Sequence, residues 1–165
     1  LGLSAGAVGL TYVFGGLGCV LASAAGQRVT ARFGVGPVLR HGLALTALGG
    51  QMFGLISGPV WFATLALGCA MLMFDFGAVL YGINYLALRQ AITPDRLLGR
   101  MTATMRFLTV AAAPLGSLAG GALATAIGLR STLLSIGVLG IALVVGAVLW
   151  SPVRRHREMP AVASD

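Results

Sequence analysis

Of 165 residues only four are acidic (Asp75, Asp95, Glu158 and Asp165) and only two are His (His41 and His156). Asp75 alone stands in the middle of an apolar run, GCAMLMFDFGAVL. A charged carboxyl at the bilayer centre costs ~2.5–3.5 kcal/mol on insertion scales, so such a group faces a cavity or a partner. The chemistry open to Asp75 is proton uptake and release, or contact with a polar substrate group. The plainer alternative is a carboxyl hydrogen-bonded inside a helix bundle. Tyr81 and Asn84 follow in the same run. At 3.6 residues per turn, the spacing from Asp75 to Asn84 puts the two on opposite faces of a straight helix. Only one of them is then expected to face a transport pathway, unless Gly77 or Gly82 breaks the helix.

The eleven basic residues are all Arg. Arg106 belongs to a stripe, Thr102, Arg106, Thr109, Ala113, Ser117, Gly120 and Ala124, that recurs at helical spacing along an otherwise apolar segment. That stripe reads equally as a packing seam or as one wall of a transport pathway. Arg106 lies ~9 Å of helix beyond Arg100. It can snorkel back to the headgroups, or it can serve as an inner gate or attract anionic substrate groups. Pro114, within the same segment, predicts a kink. Between the apolar runs, Arg89, Gln90, Pro94, Asp95, Arg96, Gly99 and Arg100 make a polar, Arg-rich connection. Pro94 suits a turn or the first position of a helix, and Gly99 suits a close approach or a positive φ. Asp95 either pairs with a nearby Arg to close a gate or is merely solvated, a pairing worth ~0–1 kcal/mol at an exposed site.

Several functions are disfavoured. Cys19 and Cys69 are single residues in apolar runs, where Cys behaves as a small hydrophobe. His and acidic residues are too few and too scattered for a metal site or an activated nucleophile, and there is no phosphate-binding glycine loop. No cofactor and no enzymatic activity are expected. A net charge of +7 raises nucleic acid as a partner. The Arg residues, however, sit in the gaps between apolar runs instead of on a folded basic surface, so nucleic acid is not expected either.

The elements that must position these groups are membrane spans. Hydrophobic residues make up 58% of the chain and charged residues 9%, against about 25% charged in a soluble domain. A helix needs ~20 apolar residues to cross the hydrocarbon. Five segments qualify: about Ala5–Gly26, Val38–Ser57, Trp61–Leu88, Met101–Ile127 and Ser131–Trp150, with Ser4 as N-cap of the first. The third is long enough to be tilted or locally broken. The connections Gln27–Pro37 and Arg89–Arg100 and the tail from Ser151 carry most of the Arg; those on the other side carry only Arg130. By the positive-inside rule the Arg-bearing side is cytoplasmic, so the chain enters from outside and ends inside. Five spans with an external start suit a six-helix half that lacks its first helix. Residues 151–165 read as a short disordered cytoplasmic tail. GxxxG spacings at Gly50–Gly54, Gly54–Gly58 and Gly116–Gly120 suggest close helix packing in lipid.

The segment Asn84–Arg106, NYLALRQAITPDRLLGRMTATMR, with the following FLTVAAAPLGSLAGGALATAIGLR, resembles the tenth and eleventh helices of major facilitator transporters. The branch it resembles includes enterobactin exporters and macrolide-efflux-like proteins. The specific part is Leu88–Gln90, Thr93–Arg100 and Arg106. The loop AGQRVTARFGVGPVL, Ala25–Leu39, is similar to the family's short Gly/Arg loop, with Arg28, Arg32 and Gly34 in place. It departs at Ala31, where the family usually has an acid, so a charge-relay role for this copy does not carry over. The Gly-rich run Pro114–Gly128 resembles the fifth helix of a family half. The resemblance implies the C-terminal half, helices eight to twelve, of a proton-coupled exporter of a small amphipathic molecule such as a drug or siderophore. Its implied partners are the lipid bilayer of a bacterial inner membrane, the N-terminal half of the same transporter and the small-molecule substrate. It favours Tyr81, Asn84 and Arg106 as functional. A non-transporting membrane subunit or scaffold is the alternative.

Overall fold

The computed structural model describes residues 3–150; the tail expected to be disordered, 151–165, lies outside the described residues. The fold is all-α, in the order α1 (Ala5–Phe33), α2 (Val35–Leu55), α3 (Val60–Ile92), α4 (Asp95–Ile127) and α5 (Leu129–Trp150). Four of these, α1, α3, α4 and α5, are long and apolar enough to cross a membrane. At 21 residues α2 is also long enough, but Arg40, His41 and Gln51 dilute its apolarity. It packs against both α3 and α5, while Leu48 and Leu55 remain exposed. These lengths and compositions make the chain a multi-pass membrane protein.

Capping explains where the helices begin and stop. Ser4 Oγ accepts a hydrogen bond from the Ala7 N–H at 3.2 Å and starts α1 as expected. The predicted loop 27–37 is almost entirely helical. α1 continues through Arg28 and Arg32, and the connection shrinks to Gly34 (φ 81°), whose N–H donates to the Thr30 carbonyl at 2.9 Å. Gln, Arg and Thr tolerate a helix, so only the positive φ at Gly34 stops it. The predicted loop 89–100 is reduced in the same way, to Thr93 and Pro94. Pro94 is the N-cap of α4, one position before the expected N1, and Asp95 lies in the first turn, where a carboxylate suits the helix dipole. Gly99 is helical with open space around it, so neither a close approach nor a positive φ explains it. α3 is continuous through Gly77 and Gly82, and α4 is continuous through Pro114.

α3 is the centre of the bundle, with α1 along one side and α2 along the other; α2 also packs on α5. Glycines bring the backbones together. A Cβ at Gly18 would stand 3.2 Å from the Leu72 carbonyl carbon. One at Gly49 would stand 2.8 Å from the Ala70 carbonyl oxygen, and one at Gly77 would stand 2.6 Å from that of Gly42. Such approach replaces the hydrophobic driving force that lipid does not supply between helices. Ala22, Val38 and Leu80 form a small core where the three helices meet, flanked by Val29, Phe76 and Val79. α4 differs from the others: it packs on α5 and has no buried residue.

Candidate functional site

At the Arg-rich end of the bundle, α1 and α2 converge on Gly34 and α3 descends beside them. Here the chain leaves a cavity of about 860 Å³, lined chiefly by Thr30, Arg32, Phe33, Gly34, Ile83 and Asn84. Asn84 forms its floor and is 5% exposed. Its Nδ2 donates to the Leu80 carbonyl at 2.8 Å, which holds the amide in one orientation. The Thr30 hydroxyl lies 2.8 Å from both Asn84 Oδ1 and the Gly26 carbonyl. One hydroxyl proton therefore serves two acceptors, and Asn84 Oδ1 retains acceptor capacity. Arg32 supplies the positive charge of the lining, its guanidinium 5.7 Å from the centre of the Phe33 ring. Among the described residues no carboxylate lines the cavity, and Ala31 occupies the position where the resemblance leads one to expect an acid.

Asp75 lies higher on the α1–α3 seam, half-buried against Gly15. Both Asp75 and Asn84 thus meet α1, although their spacing puts them on opposite faces of a straight helix. No break in α3 is involved. α1 contacts α3 at Gly68, Leu72 and Asp75 and then, nearer Gly34, at Leu80 and Asn84. The contact line therefore drifts around α3 as α1 leans toward α2.

Tyr81 takes another direction. Its backbone and Cβ pack on Gly42 of α2, and its ring stacks on Tyr85 with centroids 5.4 Å apart and planes 13° from parallel. Arg89 covers the other end of this ladder, 5.2 Å from the Tyr85 ring centre. The remaining loop residues, Arg28, Gln90, Asp95, Arg96, Gly99 and Arg100, are exposed, and Pro94 is half-buried. Asp95 forms no ion pair with any Arg among the described residues, so the gate pairing is not made in this conformation.

Arg106, Thr109 and Ser117 are exposed on α4, apart from the cavity. Thr109 and Ser117 donate their hydroxyl protons to their own helix, to the Met105 carbonyl at 2.8 Å and the Pro114 carbonyl at 2.9 Å. Among the described residues, nothing lies within 4 Å of a Cβ added at Gly116, Gly120 or Gly121. Thr30, Gly15 and Tyr85 also belong to the contacts of Asn84, Asp75 and Tyr81, although their residue types alone do not mark them. The spacing Thr11, Gly15, Gly18, Ala22 and Gly26, all buried on α1, was the available signal for the first two. No protein-family model, curated protein or solved structure matches the chain.

Proposed function

We propose that this chain is the C-terminal half of a secondary active transporter of the major facilitator type, a proton-coupled exporter of a small amphipathic molecule. The observation that carries the reading is α4: a membrane-length helix with no buried residue, whose stripe from Thr102 to Ser117 is exposed. Lipid is a poor partner for Arg, Thr, Ser and Gly, whereas a second helical bundle is a good one. In this reading the stripe is the wall turned toward the N-terminal half, with the substrate route between the halves. The two Gly turns also suit an inverted repeat. Gly34 (φ 81°, ψ 161°) joins α1 to α2 at one end of the bundle, and Gly128 (φ 87°, ψ 149°) joins α4 to α5 at the other. Orientation follows from the Arg distribution, with the Arg-rich end cytoplasmic and the membrane a bacterial plasma membrane.

Reconstitution tests the proposal. Proteoliposomes holding this chain together with its N-terminal half should export amphipathic dyes saturably when a proton gradient is imposed, and the chain alone should not. Gradient-driven flux through the chain alone would remove the two-body mechanism. No flux through the complete pair, across a panel of amphipathic cations and anions, would favour a scaffold. Single cysteines at Gly58 and Asp95 should label from opposite sides of the membrane.

A further inference from the structure

We infer that the cavity between α1 and α3 is a binding site for one anionic phospholipid with a hydroxyl-bearing headgroup, of the phosphatidylglycerol type. The inference needs only the membrane location and stands apart from the transport reading. Depth is the first argument. Arg32 lies in the last turn of α1, ~40 Å of helix from Ala5, whereas the hydrocarbon is ~30 Å thick and the bilayer ~40–45 Å with its headgroups. The cavity therefore opens at headgroup level.

Charge is the second argument. Arg32 lines the cavity with no carboxylate beside it among the described residues, and Arg28, one helical turn earlier but outside the lining, adds positive charge nearby. Such a lining attracts a phosphate, which a guanidinium can hold with two parallel hydrogen bonds. The third argument is the floor. Asn84 Oδ1 shares a single donor proton with the Gly26 carbonyl, so a headgroup hydroxyl can complete its hydrogen bonding. Finally, the rest of the lining is apolar: Phe33 and Ile83 remain 57% and 46% exposed and offer a shelf for the first acyl carbons. A soluble phosphate would leave that shelf bare, and a phosphatidylcholine would bring a trimethylammonium group beside Arg32 with no hydroxyl for Asn84.

The test is native mass spectrometry of the purified chain, titrated with phosphatidylglycerol or phosphatidylcholine, and with phosphatidylglycerol in competition with the soluble headgroup glycerophosphoglycerol. One phosphatidylglycerol should bind more tightly than any phosphatidylcholine, and glycerophosphoglycerol should compete weakly. Arg32→Gln should weaken phosphatidylglycerol about fivefold, the loss of ~1 kcal/mol for one basic residue at a membrane surface, and Arg32→Lys should retain most of the affinity. Arg130→Gln, at the opposite end, should change nothing. Equal binding of the two lipids, or full binding in an Arg32→Gln chain of unchanged helix content, would overturn the site. Competition by glycerophosphoglycerol as strong as by the lipid would assign the cavity to a free organic phosphate and overturn the lipid proposal.

Discussion

Asp75 of α3 rests on Gly15 of α1, so closely that a Cβ at residue 15 would collide with the Asp75 carboxylate oxygen Oδ2. Gly15 is what admits an acid to this seam, and Met71 Cβ would stand 3.7 Å from the same Cβ. A proton-carrying role for Asp75 predicts two linked phenotypes in the complete transporter. Asp75→Asn keeps the shape and removes titration, so gradient-driven efflux should fall at least tenfold, by ~1.4 kcal/mol or more in the transport barrier, and lose its pH dependence. Gly15→Ala pushes the carboxyl off α1 and should lower efflux while leaving Asp75 titratable. Efflux with an intact pH profile in Asp75→Asn would show that Asp75 carries no proton, and would move the role to the Asn84 side.

The Thr30–Asn84 bond predicts a measurable coupling. Interhelical hydrogen bonds in membranes average ~0.6 kcal/mol and reach ~1.7 kcal/mol in double-mutant cycles. Thr30→Val, Asn84→Leu and the double variant, unfolded in detergent, should give a coupling in that range. Zero coupling would mean that the Thr30 proton stays on the Gly26 carbonyl and that the two helices are held by packing alone.

Glycines on α3 and α4 should respond differently to the same change. A Cβ at Gly77 would meet backbone on two sides, the Gly42 carbonyl oxygen at 2.6 Å and the Thr46 nitrogen at 2.7 Å, and backbone cannot rotate away. Gly77→Ala should destabilise the bundle by roughly 1–3 kcal/mol, as overpacking does elsewhere. Gly116→Ala adds a methyl to open space and should stay within about 0.5 kcal/mol of the parent. In the proposed two-half transporter, Gly116→Leu should impair assembly or transport without altering the stability of this bundle. Equal melting temperatures for Gly77→Ala and the parent would contradict the close α2–α3 approach.

The helices were legible in the sequence because lipid enforces one rule, a long apolar run bounded by charge or turn residues. Ser4, the Ser57–Val60 connection and Gly128 lie at or next to the ends that rule suggests. The helix ends on the Arg-rich side were less legible, because Arg marks the end of an apolar run and not the end of a helix. Arg28, Arg32, Arg96 and Arg100 are good helix formers that project beyond the hydrocarbon, and apolarity says nothing about helix outside it. That Asp75 and Asn84 both meet α1 was not legible for a different reason. Residue spacing gives a face on a straight, isolated helix, but the partner leans, and how α1 leans depends on a chain of glycines and on the Gly34 turn. Thr30 escaped notice because its meaning lies in a bond to a residue far along the chain.

Arg106 carries the last prediction. α4 has 33 residues and is therefore ~50 Å long, against a hydrocarbon thickness of ~30 Å. If α4 is centred, ~10 Å extends beyond the hydrocarbon at each end. Arg106 lies ~16 Å from the start of α4 by the same rise, and so ~6 Å inside. That depth permits snorkelling, and the exposed guanidinium is free to do so. Thr102, one turn before it, and Thr109, nearly one turn after it, share its exposed stripe, so a snorkelling Arg106 still lies on the wall that the proposed transporter turns toward its N-terminal half. The two roles separate by chemistry. A Lys reaches the headgroups as well as an Arg, but it cannot make the planar, forked contact of a guanidinium. Arg106→Lys should therefore insert and express like the parent while transport falls about tenfold, the loss expected for one charge-assisted hydrogen bond. Arg106→Leu should lose that contact and the headgroup anchor together, and Arg100→Lys, nearer the water, should be silent. Parental transport kinetics in Arg106→Lys would leave snorkelling as the only role of this residue.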